Sequence, residues 1–136
     1  MNIKGIYVNL PVRDLEKTKA FWTALGFSFN PQFTDDKALA LILKEDSIYA
    51  MLLKEEFFKT FTNRPVADGS TTQVLNAIEV DSKEAVDEMV KTALENGGVK
   101  YSEPQDHGWM YQNAFADIDG HQWEVFWSDP SQLPVS

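Results

Sequence analysis

Hydrophobic and polar positions alternate twice along this chain, and each time the alternation gives way to a helical spacing. Over residues 3–12, Ile6, Val8, Leu10 and Val12 fall on one side while Tyr7, Asn9 and Pro11 fall on the other. That period of two marks a strand covered on one face. Asp14 then suits a helix N-cap, Leu15, Thr18, Phe21, Trp22 and Leu25 follow at intervals of three or four, and Gly26 stops the helix. Residues 73–80 alternate again, with Val74, Ile78 and Val80 on one face and Gln73, Leu75 and Ala77 on the other. Ser82 takes the N-cap, Val86, Met89, Val90, Ala93 and Leu94 form the apolar stripe, and Gly97 and Gly98 end it. Val12 and Val80, Phe21 and Met89, and Trp22 and Val90 each stand 68 residues apart, so the two stretches read as an internal repeat.

Each helix is followed by three candidate strands: 27–33, 38–44 and 47–53 in the first half, and 99–103, 110–117 and 121–127 in the second. Tight turns fall near Glu45 and Asp46 and over residues 117–120, where Gly120 supplies a permissive backbone. Each half therefore reads βαβββ, an α+β arrangement. Residues 54–61 predict a short helix whose charges and aromatics fit a cover over the sheet, a dimer seam or a lid. The expected organisation is one domain with a first module over 1–61, a linker over 62–70, a second module over 71–128 and a tail over 129–136.

Composition narrows the chemistry. Apolar residues at 43% are enough for a substantial core. A formal charge of −9 repels a phosphate backbone or an anionic membrane, so neither nucleic acid nor membrane is an expected partner. The absence of cysteine excludes disulfides, thiolate zinc sites and cysteine nucleophiles. With no long apolar run near the N-terminus, a cytoplasmic setting is expected.

The opening stretch LPVRDLEKTKAFW (10–22), followed by Leu25, Gly26 and Phe27, resembles the first motif of the vicinal oxygen chelate (glyoxalase/bleomycin resistance/extradiol dioxygenase) superfamily. The closing stretch DIDGHQWEV (117–125) resembles its DPxGHxWE-type motif, and EPQDHGWMY (103–111) is similar to a subgroup labelled "predicted lactoylglutathione lyase". The resemblance spans nearly the whole chain. It implies two βαβββ modules whose mixed sheets curl into a cup with helices outside, and a homodimer, with the cup formed within a chain or between chains. It does not by itself imply a reaction.

Enzymes of the family hold a divalent metal at the floor of the cup, on ligands from the first and last strands of each module. Carried onto this chain, those positions are Tyr7, Met51, Leu75 and Glu124, the Met51 assignment carrying a register uncertainty of a residue or two. Leucine cannot coordinate, methionine suits soft ions, and neutral tyrosine is a poor ligand, so one carboxylate remains where about three ligands are needed. His107 in a loop and His121 at a turn are the remaining candidates, each with a turn-stabilising or loop-tethering role as its alternative. No metal or other cofactor is expected, a divalent metal being the alternative.

Strand parity lines the expected cup with Tyr7, Asn9, Tyr49, Met51, Leu53, Gln73, Leu75, Ala77, Gln122, Glu124 and Phe126, with Trp109 and Tyr111 closing it from the loop side. Apolar walls with a few placed polar groups suit a small-molecule ligand, although the same residues also suit a filled core. Tyr7 is a candidate hydrogen-bond partner for Glu124. Three functions follow: a metal-independent binding protein like the bleomycin resistance branch; a glyoxalase-like lyase or dioxygenase-like enzyme using Glu124 with or without a metal; or a structural or regulatory dimer whose cup is full.

Overall fold

The computed structural model describes residues 1–132, so the last four residues of the expected tail lie outside the described range. The chain divides into two compact units, the first Met1–Asp68 and the second beginning at Gly69. In the first, β1 (Val8–Val12), α1 (Leu15–Ala24), β2 (Ser28–Phe29), β3 (Ala38–Lys44) and β4 (Ile48–Lys54) precede a short α2 (Glu55–Phe58). In the second, β5 (Leu75–Glu79), α3 (Lys83–Glu95), β6 (Gln105–Asp106), β7 (Met110–Ala116) and β8 (Gln122–Ser128) repeat the plan. The fold is α+β, with four-stranded sheets in the orders β1-β4-β3-β2 and β5-β8-β7-β6. The first strand of each unit runs parallel to the last and the other pairings are antiparallel, so both sheets are mixed.

The helices begin and end where local chemistry dictates. Asp14 Oδ1 accepts from the Lys17 N–H at 3.1 Å, and Ser82 Oγ accepts from the Ala85 N–H at 3.1 Å. Each supplies an acceptor to a first-turn amide with no partner inside its helix. Thr18, Phe21 and Trp22 turn the buried side of α1 toward Leu10, Val12, Leu39, Leu41, Ala50 and Leu52. Trp22 meets Phe21 and Phe27 edge-on at centroid distances of 5.3 and 5.4 Å, a geometry worth about 0.5–1.5 kcal/mol beyond burial. In the second unit, Val86, Val90 and Ala93 of α3 pack on the side of the sheet that carries Phe115, Trp123 and Val125.

Three expected strands are shorter than their hydrophobic runs. Pairing in the first begins at Val8 instead of residue 3, and Ile3 and Ile6 are exposed. In the register Val8↔Ala50, position 6 would face Ile48, where β4 begins, so further backbone has nothing to pair with. The run 27–33 pairs only at Ser28–Phe29. Pro31 has no N–H to give a ladder, and Asn30 instead caps a single 3-10 turn over Pro31–Phe33. The run 99–103 makes one bridge, Val99↔Ala116, before pairing resumes at Gln105, just beyond Pro104. Val74, expected on the covered face, is exposed ahead of β5. Residues 55–61 are helical, one residue short of the expected 54–61 because Lys54 ends β4, with α2 running into a 3-10 turn over Lys59–Phe61. The β3–β4 turn places Asp46 in the left-handed region at φ 59°. Among the described residues, no helix is long and apolar enough to cross a membrane.

Candidate functional site

Sheet register fixes which side chains share a face. In the second unit, Ala77, Glu124 and Ala114 lie side by side across β5, β8 and β7. Leu75, Gln122 and Ala116 form the row on one side of them; Glu79, Phe126 and Gln112 form the row on the other. This face is the reverse of the one packed on α3, because successive strand residues point to opposite faces. In the first unit Asn9, Met51 and Ala40 form the matching row, and Tyr49 stands two residues before Met51 on the same face. Asn9 and Ala77 are repeat partners 68 residues apart, so Met51 and Glu124, the residues opposite them, occupy equivalent places.

Glu124 is half-buried between two alanines. Among the described residues its carboxylate has neither a hydrogen-bond partner nor an ion pair. Lys100, the nearest cation in sequence to this edge of the sheet, pairs with Glu103 at 2.8 Å. Gln122 receives the Thr72 hydroxyl, which ties the chain ahead of β5 to β8.

Tyr101 is a neighbour of Glu124 that periodicity did not single out. Val99 and Ala116 exchange two hydrogen bonds, of 2.9 and 2.8 Å. Continuing that antiparallel register by two residues brings Tyr101 level with Ala114, the alanine beside Glu124. Burial and then the Glu124 charge raise the phenol above its ordinary pKa, which sets the ring within electrostatic reach of that carboxylate. Val99 and Tyr101 fall within an expected strand, 99–103, but the sequence did not show which neighbour that stretch would pair with.

Tyr111 does not close this face. It pairs with Trp127 on the helix side of the sheet, where its hydroxyl donates to Asp87 of α3 at 2.7 Å and Asn113 reaches the same oxygen at 3.4 Å. The Asp87 bond, then burial and the charges of Asp87 and Asp106, push its pKa up to about 12. Trp109 precedes β7 on the parity of Tyr111, and its carbonyl accepts from the Asp129 N–H at 2.7 Å. Strand parity inside β7 puts Tyr111 off the Glu124 face. Tyr7, 65% exposed, and Asn9 lie at the edge of the first sheet, Gln73 is exposed ahead of β5, and Leu75 is half-exposed at its start.

The histidines serve local structure. His107 is exposed, its N–H donating to the Met110 carbonyl at 2.8 Å and its ring 3.3 Å from Gln105 Oε1. His121 closes the 117–120 turn. Its N–H donates to Asp117 Oδ1 at 3.0 Å, and its carbonyl accepts from the Asp117 N–H at 2.8 Å. Asp117 is 3% exposed and also accepts from the Asp119 N–H at 2.9 Å and the Trp123 indole at 3.0 Å. Burial raises its pKa, while the His121 charge and these hydrogen bonds oppose the rise. Gly120, at φ 87°, lets the turn close beneath the carboxylate.

The metal positions implied by the resemblance hold a phenol, a thioether, an isobutyl group and one carboxylate, at Tyr7, Met51, Leu75 and Glu124. This donor set does not fit a hard or borderline divalent ion, which takes about three nitrogen or oxygen ligands from a protein. Among the described residues, no group of three histidine or acidic side chains gathers in a way that could hold a metal.

Comparison with known proteins agrees with the fold. The family model described as "Glyoxalase/Bleomycin resistance protein/Dioxygenase superfamily" matches residues 6–125. No curated protein matches the chain. Among solved structures, a hypothetical protein from S. aureus is similar at 29% identity and a TM-score of 0.78, over 93% of this chain and 95% of its own. A transposon-encoded bleomycin resistance determinant is similar at 20% identity and a TM-score of 0.62, over 93% and 99%. A fosfomycin resistance protein from Listeria monocytogenes is similar at 19% and 0.66, over 96% and 98%. At such identities the last two relationships speak for the fold alone.

Proposed function

The chain belongs to the glyoxalase/bleomycin resistance protein/dioxygenase superfamily, and on that premise we propose that it is a small-molecule-binding protein that works without the family's metal. The donor set carries this reading: of the four positions the family resemblance implies, only Glu124 is a carboxylate and the others are Tyr7, Met51 and Leu75, residues that suit recognition better than a Lewis-acid centre. Support also comes from the mixed character of the faces, where Met51 and Phe126 offer apolar area while Asn9, Gln122 and Glu124 offer placed polar groups. The ligand class is a small molecule with an aromatic part. The protein acts as a homodimer in the cytoplasm. Support for a second copy lies in the outer strands β1 and β5, where Ile6, Tyr7, Val8, Val74 and Leu75 are exposed at or beside strands paired on one side only. The test is metal analysis of protein purified without chelator, with thermal-shift screening of aromatic compounds and light scattering for mass. Substoichiometric metal and a ligand-dependent rise in Tm are expected; a stoichiometric divalent ion lost on Glu124→Ala refutes the metal-free reading.

One observation favours a second reading, a glyoxalase-like enzyme with Glu124 as a general base beside a carbonyl. Its carboxylate is half-buried and has no hydrogen-bond or ion-pair partner among the described residues. Such a base acts only within hydrogen-bond reach of the proton it removes. Solvent deuterium exchange into a bound carbonyl compound, abolished by Glu124→Gln, distinguishes catalysis from binding.

A further inference from the structure

We propose that Glu124 and Tyr101 form a recognition pair for a protonated amine carried on a small apolar or aromatic body. This deepens the binding function and rests on it. Glu124 is half-buried on the face of the second sheet turned away from α3, with an exposed Ala77 on one side and a buried Ala114 on the other, so methyl groups flank its carboxylate. No lysine or arginine among the described residues neutralises it, and the chain as a whole carries a formal charge of −9. A half-buried carboxylate in that position has its strongest unmet interaction with a cation that brings its own N–H donors.

Tyr101 supplies the second half of the pair. The Val99↔Ala116 bridge lies two residues before it, an antiparallel offset that leads toward Ala114, and Tyr101 is close enough to Glu124 for that charge to act on its phenol. A neutral phenol oxygen can accept from an ammonium. Its ring face attracts the same cation through its quadrupole. Phe126, two residues along β8 on the same face, and the exposed Leu75 offer apolar area for the rest of the ligand. A metal ion is a poor fit, since one carboxylate and one neutral phenol fall short of its ligand count. An anionic ligand would face the Glu124 charge directly.

The experiment is calorimetric titration of the full chain with phenethylamine, its uncharged analogue phenethyl alcohol and its anionic analogue hydrocinnamate. Wild type, Glu124→Gln, Glu124→Asp and Tyr101→Phe are compared, each first shown to be folded by circular dichroism. The amine is expected to bind on the order of tenfold more tightly than the alcohol, as for a hydrogen bond to a charged group. Glu124→Gln should bring the amine down to the level of the alcohol, and Glu124→Asp should keep part of the preference. Tyr101→Phe should weaken the amine severalfold while leaving the alcohol unchanged. If the alcohol or hydrocinnamate binds as well as the amine, or the amine preference survives Glu124→Gln, the recognition pair is refuted while the binding function stands. If none of the three binds, both fall for this face.

Discussion

Replacing Asp117 with alanine should produce one of the largest stability losses available to a single polar substitution in this chain. The carboxylate accepts three hydrogen bonds, from the backbone N–H groups of Asp119 and His121 and from the Trp123 indole, at 2.9, 3.0 and 3.0 Å. Asp119 and His121 are half-buried and can recover some hydration, so each bond is worth about 1 kcal/mol. Trp123 is 2% exposed, so its indole loses this acceptor where water barely reaches, a loss of about 1–3 kcal/mol. The total is roughly 3–5 kcal/mol, a large share of the roughly 5–15 kcal/mol that holds a domain together. Asp117→Asn should lose less. Its amide oxygen can still accept from the turn, and it removes the burial penalty on a charge, although its NH₂ then faces the indole donor. The assay is urea unfolding followed by tryptophan fluorescence, with the cycle Asp117→Ala, Trp123→Phe and the double variant. The alanine change should cost about 1–3 kcal/mol less in the Trp123→Phe background, because the stranded donor is gone. A loss below about 1 kcal/mol for Asp117→Ala, or a coupling of zero, refutes the accounting.

Asp117 also predicts a pH dependence. Its folded pKa is raised, so the native state holds its proton more tightly than the unfolded chain. Stability from this group is fully present below the ordinary carboxylate value of 3.8 and is lost as pH rises through the folded value. Wild type should therefore lose stability relative to Asp117→Asn across that window, and the difference should be flat above it; a difference that grows with pH reverses the sign.

Other consequences are smaller and local. Spectrophotometric titration should show one tyrosine ionising at about 12, and Asp87→Asn should return it toward 10.0 because the hydrogen bond to Asp87 is the main cause of the shift. Glu124→Gln should lower the Tyr101 pKa without any ligand present, read as the phenolate signal lost in Tyr101→Phe, and no change would contradict their proximity. Gly98→Ala should destabilise by about 1–3 kcal/mol in chemical denaturation, since its Cβ would sit 2.8 Å from the Ala93 carbonyl oxygen and 3.0 Å from that of Ala116, both backbone atoms with little room to move.

What the sequence determined by itself is local. Asp14 and Ser82, 68 residues apart, mark two helix starts because a cap is settled within three residues of its own position. The alternations within 3–12 and 73–80 mark strands because successive side chains must point to opposite faces. The motifs at both ends were enough to place the family, and Glu124 stood out as the lone carboxylate among the implied ligand positions. Tertiary structure decided whatever depends on which strand lies beside which. Register made Met51 the counterpart of Glu124 and bridged Val99 to Ala116, two residues before Tyr101. It carried Tyr111 away from the Glu124 face to Asp87, 24 residues distant along the chain. It also left Ile3 and Ile6 without strand partners where β4 begins. A period of two records that a residue faces one side or the other, but each strand can slide against its neighbour at the cost of contacts that lie far away in sequence. Only the assembled sheet sets that offset, and with it the company Glu124 keeps.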